Sequence, residues 1–99
     1  MIRHILLIKF KQDTSNTQIE ELMALFTSMT NKVDGVVGVE WGANNSPEGK
    51  NQGYTHSVLM TFADESGRAN YLPHPEHDAL KGVFRPILED IIVFDYQPA

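Results

Sequence analysis

The sequence contains no cysteine, and its 99 residues carry 8 lysines and arginines against 13 aspartates and glutamates. The absence of cysteine excludes disulfide bonds, thiolate catalysis and cysteine-ligated zinc or iron–sulfur centres. The net charge of −5 argues against a general nucleic-acid binder, because phosphate contacts need a basic surface. We therefore expect no nucleic-acid partner.

No apolar run approaches the ~20 residues that a membrane-spanning helix needs. The opening Met-Ile-Arg-His lacks the pattern of a secretory signal peptide. These absences, with the length of the chain, predict a cytoplasmic protein with no membrane partner and one domain over residues 1–99.

The first segment alternates in the way that a β-strand does. One face of Ile2–Phe10 would carry Ile2, His4, Leu6, Ile8 and Phe10, and the other Arg3, Ile5, Leu7 and Lys9. Both faces contain apolar side chains, so the pattern predicts a strand with much of each face covered.

A helix is predicted next, because apolar residues recur at helical spacing between Ile19 and Met29. Asn16 or Thr17 is its expected N-cap, and Asp34-Gly35 its expected end, since glycine adopts left-handed geometry easily. Strands are predicted over 36–44, 54–62 and 91–96, helices over 64–71 and 75–88, and an exposed loop over 44–53.

The resulting order, β-α-β-β-α-β, predicts an α+β, ferredoxin-like fold with helices on one face of a four-stranded sheet. In the second strand Val37, Val39 and Trp41 are expected on one face. Two helical segments cover only one sheet face, yet the first and last strands are apolar on both. Because a large exposed apolar face is a liability, we expect the chain to form a homodimer, sheet to sheet.

The segment Tyr71–His77 concentrates chemical groups. It holds a phenol, a carboxylate and two of the chain's four histidines, interrupted by Pro73 and Pro75. Proline disfavours helix in the residue before it and is tolerated in a first helical turn, so one helix should end near Tyr71 and another begin at Pro75. The polar groups at this corner are candidates for acid–base chemistry or ligand binding, or simply complete the corner.

Several segments, taken together, resemble the stress-responsive A/B barrel (Dabb) family. This resemblance spans nearly the whole chain and implies a dimeric α+β barrel of two ferredoxin-like protomers, with no cofactor. The segments that carry it are Arg3-His4-Ile5 with Lys9-Phe10-Lys11, Val39-Glu40-Trp41-Gly42, Gly53-Tyr54-Thr55-His56, Tyr71–His77 and Phe94-Asp95-Tyr96-Gln97-Pro98.

The family has no single function. A plant member closes a linear polyketide by intramolecular aldol condensation, and its catalytic tyrosine and histidine fall on Tyr71 and His77. This chain departs from that cyclase in the cavity wall, with Phe26 in place of a tyrosine, Leu88 in place of a tryptophan and Lys81 in place of a glycine. The resemblance thus implies acid–base chemistry but a different substrate.

His77 and Tyr71 are the candidate catalytic residues. A neutral imidazole, with an ordinary pKa of ~6.5, can remove a proton from carbon beside a carbonyl. A phenol can donate a hydrogen bond to the enolate oxygen that forms. The alternative is that His77 bonds a backbone carbonyl and Tyr71 packs at a helix end.

A small hydrophobic carbonyl compound is the expected ligand. The candidate pocket residues are His4, Ile8, Phe26, Val58, Met60, Leu80, Ile91 and Val93. His4 would orient the ligand, or else be a hydrogen-bonded core histidine. His56 is expected to be structural. No metal is expected through side chains, because the His74/His77 spacing is a weak signal across a proline corner.

Two other functions remain open at this point. One is a non-catalytic, stress-related homodimer in which packed side chains fill the cavity. The other comes from the wider barrel superfamily, which includes haem-degrading and quinone-forming monooxygenases. Haem use would require a histidine positioned as axial ligand.

Overall fold

The computed structural model describes residues 1–99. Its elements are β1 (Ile2–Phe10), α1 (Asn16–Lys32), β2 (Val36–Ala43), β3 (His56–Phe62), α2 (Glu65–Tyr71), α3 (Pro75–Phe84), a 3₁₀ turn (Arg85–Ile87) and β4 (Leu88–Tyr96). The strands form one antiparallel sheet in the order β2-β3-β1-β4. The predicted ferredoxin-like α+β fold is therefore confirmed. None of the helices combines the length and apolarity needed to cross a bilayer.

One face of the sheet packs against the helices and forms the core. The predicted alternation of β1 is confirmed, since Ile2, Leu6 and Ile8 are at most 5% exposed whereas Leu7 is 37% exposed. Apolar residues of α1, including Phe26 and Met29, lie over these strand residues in one continuous core. Burial of this apolar face provides the main driving force for the fold.

The opposite sheet face has no helical cover. Ile5 pairs with Phe94 and Leu7 with Ile92 across the β1–β4 ladder. Phe94 is 61% exposed and Ile92 40% exposed. We call this surface the open face. It also includes Leu59 of β3, which pairs with Ile5.

The ends of several elements differ from the sequence predictions. Ser15, rather than Asn16 or Thr17, caps α1, because its hydroxyl accepts from the Gln18 N–H while the Gln18 side chain accepts from the Ser15 N–H. This reciprocal capping box satisfies two donors that the first turn leaves free. The helical stretch after Pro75 ends as α3 at Phe84, followed by a single 3₁₀ turn, so β4 begins at Leu88 rather than Ile91.

A bulge in β2 accounts for another difference. The pairing of β2 with β3 shifts between Val36 and Gly38, and Val37 lies in the shifted segment, 52% exposed. A bulge inserts one residue and reverses the alternation, which a regular pattern cannot reveal. Val37 therefore does not share the face of Val39 and Trp41.

Two glycines fix the start of α2. Gly35 has a φ of +93°, and a Cβ on it would lie 2.6 Å from the Cα of Gly67. Its carbonyl accepts a hydrogen bond of 2.9 Å from the Ala63 N–H. Only glycine at both positions permits this approach, which sets where α2 places Arg68 and Tyr71.

Candidate functional site

The corner between α2 and α3 has the geometry that its prolines predict. Helix α2 ends at Tyr71, and α3 begins at Pro75 with His74 as its N-cap. The Nδ1 atom of His74 accepts a 3.0 Å hydrogen bond from the Glu76 N–H. His74 thus caps a helix, and the corner directs the neighbouring Tyr71 and His77 towards each other.

His77 is held by its backbone contact in one ring orientation. Its Nδ1 atom lies 2.8 Å from the carbonyl oxygen of Leu72, so Nδ1 carries the hydrogen and donates it. The Nε2 atom has no partner in the chain and presents a lone pair. Burial lowers the pKa of His77 from its ordinary value, although the Leu72 carbonyl opposes part of this change. The imidazole therefore stays neutral, and able to accept a proton, at a lower pH than an ordinary histidine does.

Tyr71 packs directly against His77. The two rings stack with centroids 4.2 Å apart, and Tyr71 is 1% exposed. Its hydroxyl has no hydrogen-bond partner in the chain, although no fully buried side-chain oxygen or nitrogen lacks one. The hydroxyl therefore keeps a small accessible surface, and Tyr71 lines the cavity described below. Burial raises the pKa of the phenol well above its ordinary value, which keeps it a neutral donor.

His4 joins the site from β1 and belongs to a chain of polar contacts. Its Nδ1 lies 2.6 Å from Oδ1 of Asp95, and Oδ2 of Asp95 lies 3.1 Å from a guanidinium nitrogen of Arg68. The carboxylate accepts from Nδ1–H, which leaves Nε2 as the free ring nitrogen. The His4 and Tyr71 rings meet edge to face at 6.4 Å. Arg68 thereby fixes Asp95, and Asp95 fixes the imidazole.

These side chains surround a cavity of about 240 Å³ between α1, α3 and the helix-covered sheet face. Nine of its 13 lining residues are hydrophobic, and the other four are His4, His77, Lys81 and Arg85. No carboxylate lines the cavity. Such a mainly apolar space with a few convergent polar groups is typical of a small-molecule site.

The structure brings together most of the residues that the sequence suggested. The predicted residues that line the cavity are His4, Phe26, Tyr71, His77, Leu80, Ile91 and Val93. Ile8, Val58 and Met60 lie elsewhere, because each is completely buried in the core and has no surface left to offer a ligand.

Sequence reasoning missed other lining residues. These are Leu6, Leu72, Phe84 and Arg85, whereas Lys81 and Leu88 were expected in the cavity wall from the family resemblance and do line it. It also assigned no role to Arg68 or Asp95. His56, expected to be structural, bonds the Thr55 hydroxyl at 2.8 Å and packs against Phe10, outside this cavity.

A second, larger cavity of about 390 Å³ lies beside the 44–53 loop. Leu7 and Ile92 of the open face form part of its wall, and the hydroxyl of Tyr54 in it already donates to Asp90 at 2.6 Å. Only four of its 13 lining residues are hydrophobic, and the Tyr54 hydroxyl is already bonded to Asp90, so we assign the candidate site to the smaller, more apolar cavity. No three histidine, aspartate or glutamate side chains cluster closely enough anywhere to hold a metal ion.

Two plant proteins of similar sequence align with nearly the whole of this chain. The olivetolic acid cyclase of Cannabis sativa is 31% identical over 97 residues, which cover 98% of this chain and 96% of the cyclase. The stress-response A/B barrel domain-containing protein HS1 of Arabidopsis thaliana is 34% identical, over 98% of this chain and 89% of that protein.

Solved structures agree with the fold. A crystal structure of an Arabidopsis thaliana protein, 33% identical, has a TM-score of 0.95 and covers 100% of this chain and 96% of its own. The hydroxynitrile lyase of Passiflora edulis, 27% identical, has a TM-score of 0.88 over 96% of this chain and 90% of its own. A dimeric ferredoxin-like protein of Jannaschia sp., 23% identical, shares the fold with a TM-score of 0.86 over 98% of both chains.

The family model for the stress responsive A/B barrel domain matches residues 2–98. The resemblance read from short sequence segments is thereby confirmed. The chain belongs to the stress-responsive A/B barrel (Dabb) family.

Proposed function

We propose that this protein is a cofactor-independent acid–base enzyme that forms an enolate from a small hydrophobic carbonyl compound, in the manner of an aldol cyclase. The observation that carries the proposal is the pairing of a free His77 Nε2 with a free Tyr71 hydroxyl at one apolar cavity. The names of the similar cyclase and hydroxynitrile lyase support an enzymatic function.

His77 supplies the base. Its Nε2 takes a proton from the carbon beside the ligand's carbonyl, and the electrons of that C–H bond move onto the carbonyl oxygen as an enolate. The hydrogen bond from Nδ1 to the Leu72 carbonyl supports the positive charge that the ring then carries. Burial keeps the ring neutral beforehand by lowering its pKa.

Tyr71 stabilises the enolate, because its neutral hydroxyl donates to the new negative oxygen in a space with little water. His4, held by Asp95, orients the ligand from the sheet side. When the enolate carbon attacks a second carbonyl of the same molecule, a carbon–carbon bond forms. The proton on His77 then returns to the resulting alkoxide, so the reaction needs no cofactor.

The direct test uses proton NMR to measure how fast the α-protons of 4-phenylbutan-2-one exchange with deuterated water. We expect the wild-type protein to accelerate this exchange. We expect His77→Gln to remove the acceleration, since a general base contributes about a hundredfold or more. Tyr71→Phe should lower the rate by about a hundredfold, the usual effect of losing one oxyanion donor.

His74→Asn is the matched control, because it changes the other histidine of the corner and asparagine remains a good helix cap. It should leave the exchange unchanged. If wild type gave only the buffer rate, or if His77→Gln retained the full rate, the enzymatic proposal would fail. The non-catalytic homodimer would then be the better function for this fold.

We further propose that the protein is a homodimer joined through the open face. Exposed apolar residues of β1 and β4, such as Leu7, Ile92 and Phe94, lie side by side there. The dimeric state of the Jannaschia protein with the same fold supports a dimer, and the exposed apolar surface argues for the open face as its interface. The cavity lies on the other side of the sheet and stays accessible in such a dimer.

A further inference from the structure

The polar groups of the cavity share one property. Apart from the Tyr71 hydroxyl, they are two imidazoles, an ammonium and a guanidinium, and no carboxylate lines the space. This local positive character stands against a chain whose net charge is −5. A site of one charge sign attracts ligands of the opposite sign.

Lys81 and Arg85 hold the two permanent cations on one side of the same helical stretch. Arg85 directly follows α3, and its N–H bonds the Lys81 carbonyl, so the two side chains are one turn apart. His77 lies one turn earlier on the same side. All three side chains line the cavity, and Arg85, the last of them along the chain, is exposed.

Neither cation is fully neutralised within the chain. Arg85 forms no ion pair. Lys81 lies 3.6 Å from Asp78, but the Asp78 side chain is 64% exposed, so this pair is weak. Lys81 and Arg85 also line an open groove on the outer surface, shared with Asp78, Gly82 and Pro86, which continues from the cavity.

We propose that the ligand of this cavity carries a carboxylate, which Lys81 and Arg85 bind at the mouth while its apolar part occupies the interior. A planar guanidinium fork matches a carboxylate by two parallel hydrogen bonds. One fully free cation and one partly paired cation balance a single negative charge, which favours a carboxylate over a phosphate dianion. The ligand class is therefore a small apolar keto acid.

The position of Lys81 fits this geometry. Lys81 follows His77 by one turn of α3 and both side chains line the cavity, so the ammonium is close to the proposed base. A carboxylate bound there would offset that charge. The ligand's own reactive carbon would then lie between the bound carboxylate and the sheet.

The test is binding of a matched pair, 3-phenylpropanoate and its neutral amide 3-phenylpropanamide, by NMR titration of the labelled protein. The two probes share the apolar body and differ only in charge. We expect the carboxylate to bind about tenfold more tightly than the amide at low salt. Added salt should reduce the preference, because the mouth is exposed to solvent.

Lys81→Met and Arg85→Met, singly and together, keep the aliphatic stems and remove the charges. The double variant should bind both probes within about twofold of each other. The carboxylate loses its two charged partners, whereas the affinity of the neutral amide changes little. Lys11→Met is the matched control on an exposed lysine away from the cavity and should keep the tenfold preference.

Equal binding of the two probes to wild type would overturn the proposal, and so would failure of both to bind. An unchanged preference in the double variant would also overturn it. This inference rests on the proposed function for the choice of cavity, but binding is measured without turnover. If the wild-type protein failed to accelerate α-proton exchange but preferred the carboxylate probe, only the enzymatic proposal would be refuted. If it accelerated exchange but showed no such preference, only the proposal of a carboxylate ligand would be refuted.

Discussion

The two faces of the sheet are built from alternating residues of the same strands, yet they differ in burial and in the groups they carry. On the helix-covered face, Leu6 and Ile8 are buried, and His4 and Asp95 complete a polar chain beside a cavity. On the open face, Phe94 and Ile92 are exposed, and the Tyr54 hydroxyl and Asp90 carboxylate at its edge already bond each other. One face therefore provides the candidate chemistry, and the other provides the surface that we propose for assembly.

The largest effect is expected from a charge on the open face. Phe94→Glu places a carboxylate in the middle of the apolar surface, where a sheet-to-sheet contact would desolvate it. We expect the dimer to dissociate into monomers at micromolar concentration, measured by light scattering after gel filtration. Binding of 3-phenylpropanoate should remain, since the cavity is on the other face.

Val83→Glu is the control for that change. Val83 is also an exposed apolar residue, 41% accessible, but it lies on α3 away from the open face. It should leave the dimer intact. A Phe94→Glu protein that stayed dimeric, or a wild-type protein that was monomeric, would refute assembly through the open face.

A smaller effect is expected from the carboxylate that holds His4. Asp95→Asn keeps the shape but offers His4 an amide in place of a charged acceptor, so the ring can bind through the wrong tautomer. We expect α-proton exchange to fall by about tenfold, less than for loss of the base itself. The optimum pH of the remaining exchange should stay the same, because His77 still supplies the base.

Asp90→Asn tests whether the two faces are independent. Asp90 is on the same strand, but its carboxylate accepts from the Tyr54 hydroxyl on the open-face side. This variant should exchange α-protons at the wild-type rate. Equal losses in both aspartate variants would mean that the strand, rather than the His4 contact, is responsible.

The smallest effect is a dependence of stability on pH. Burial lowers the pKa of both His77 and His56 in the folded protein. The unfolded chain then binds these protons more readily, so the free energy of unfolding is highest above about pH 6.5 and falls as pH drops through the lowered pKa values. Urea unfolding between about pH 7.5 and pH 5.5 measures this slope.

His56→Gln and His77→Gln should each flatten part of that slope, whereas the exposed control Lys11→Met should not change it. A slope that persisted in the protein with both histidines replaced would assign the effect to other groups. The His56 contribution lies outside the cavity and should be unaffected by 3-phenylpropanoate.

The fold was largely predictable because its signals are local or periodic. The alternation of Ile2–Phe10 and the prolines of the Tyr71–His77 corner each constrain a few neighbouring residues, and the structure confirms both. The bulge after Val36 was missed, since one inserted residue depends on pairing with β3 and leaves no local signal.

The candidate site was only partly predictable for the same reason. His4 and Asp95 are 91 positions apart, and only the register of β1 with β4 brings them opposite one another. Lys81 was expected in the cavity wall only through the family resemblance, and Arg85 was not expected there at all. That they border a cavity depends on how α3 packs over the sheet, which no spacing within the helix specifies.

Strand β4 carries a last consequence. Phe94 and Asp95 are consecutive, so the surface for assembly and the support of the site are separated by a single peptide unit. A residue inserted between Ile92 and Phe94 would turn the following side chains over, placing Phe94 beside the cavity and Asp95 in the apolar contact. Substitutions in this strand can be absorbed one at a time, but a change in its length would disrupt both faces together.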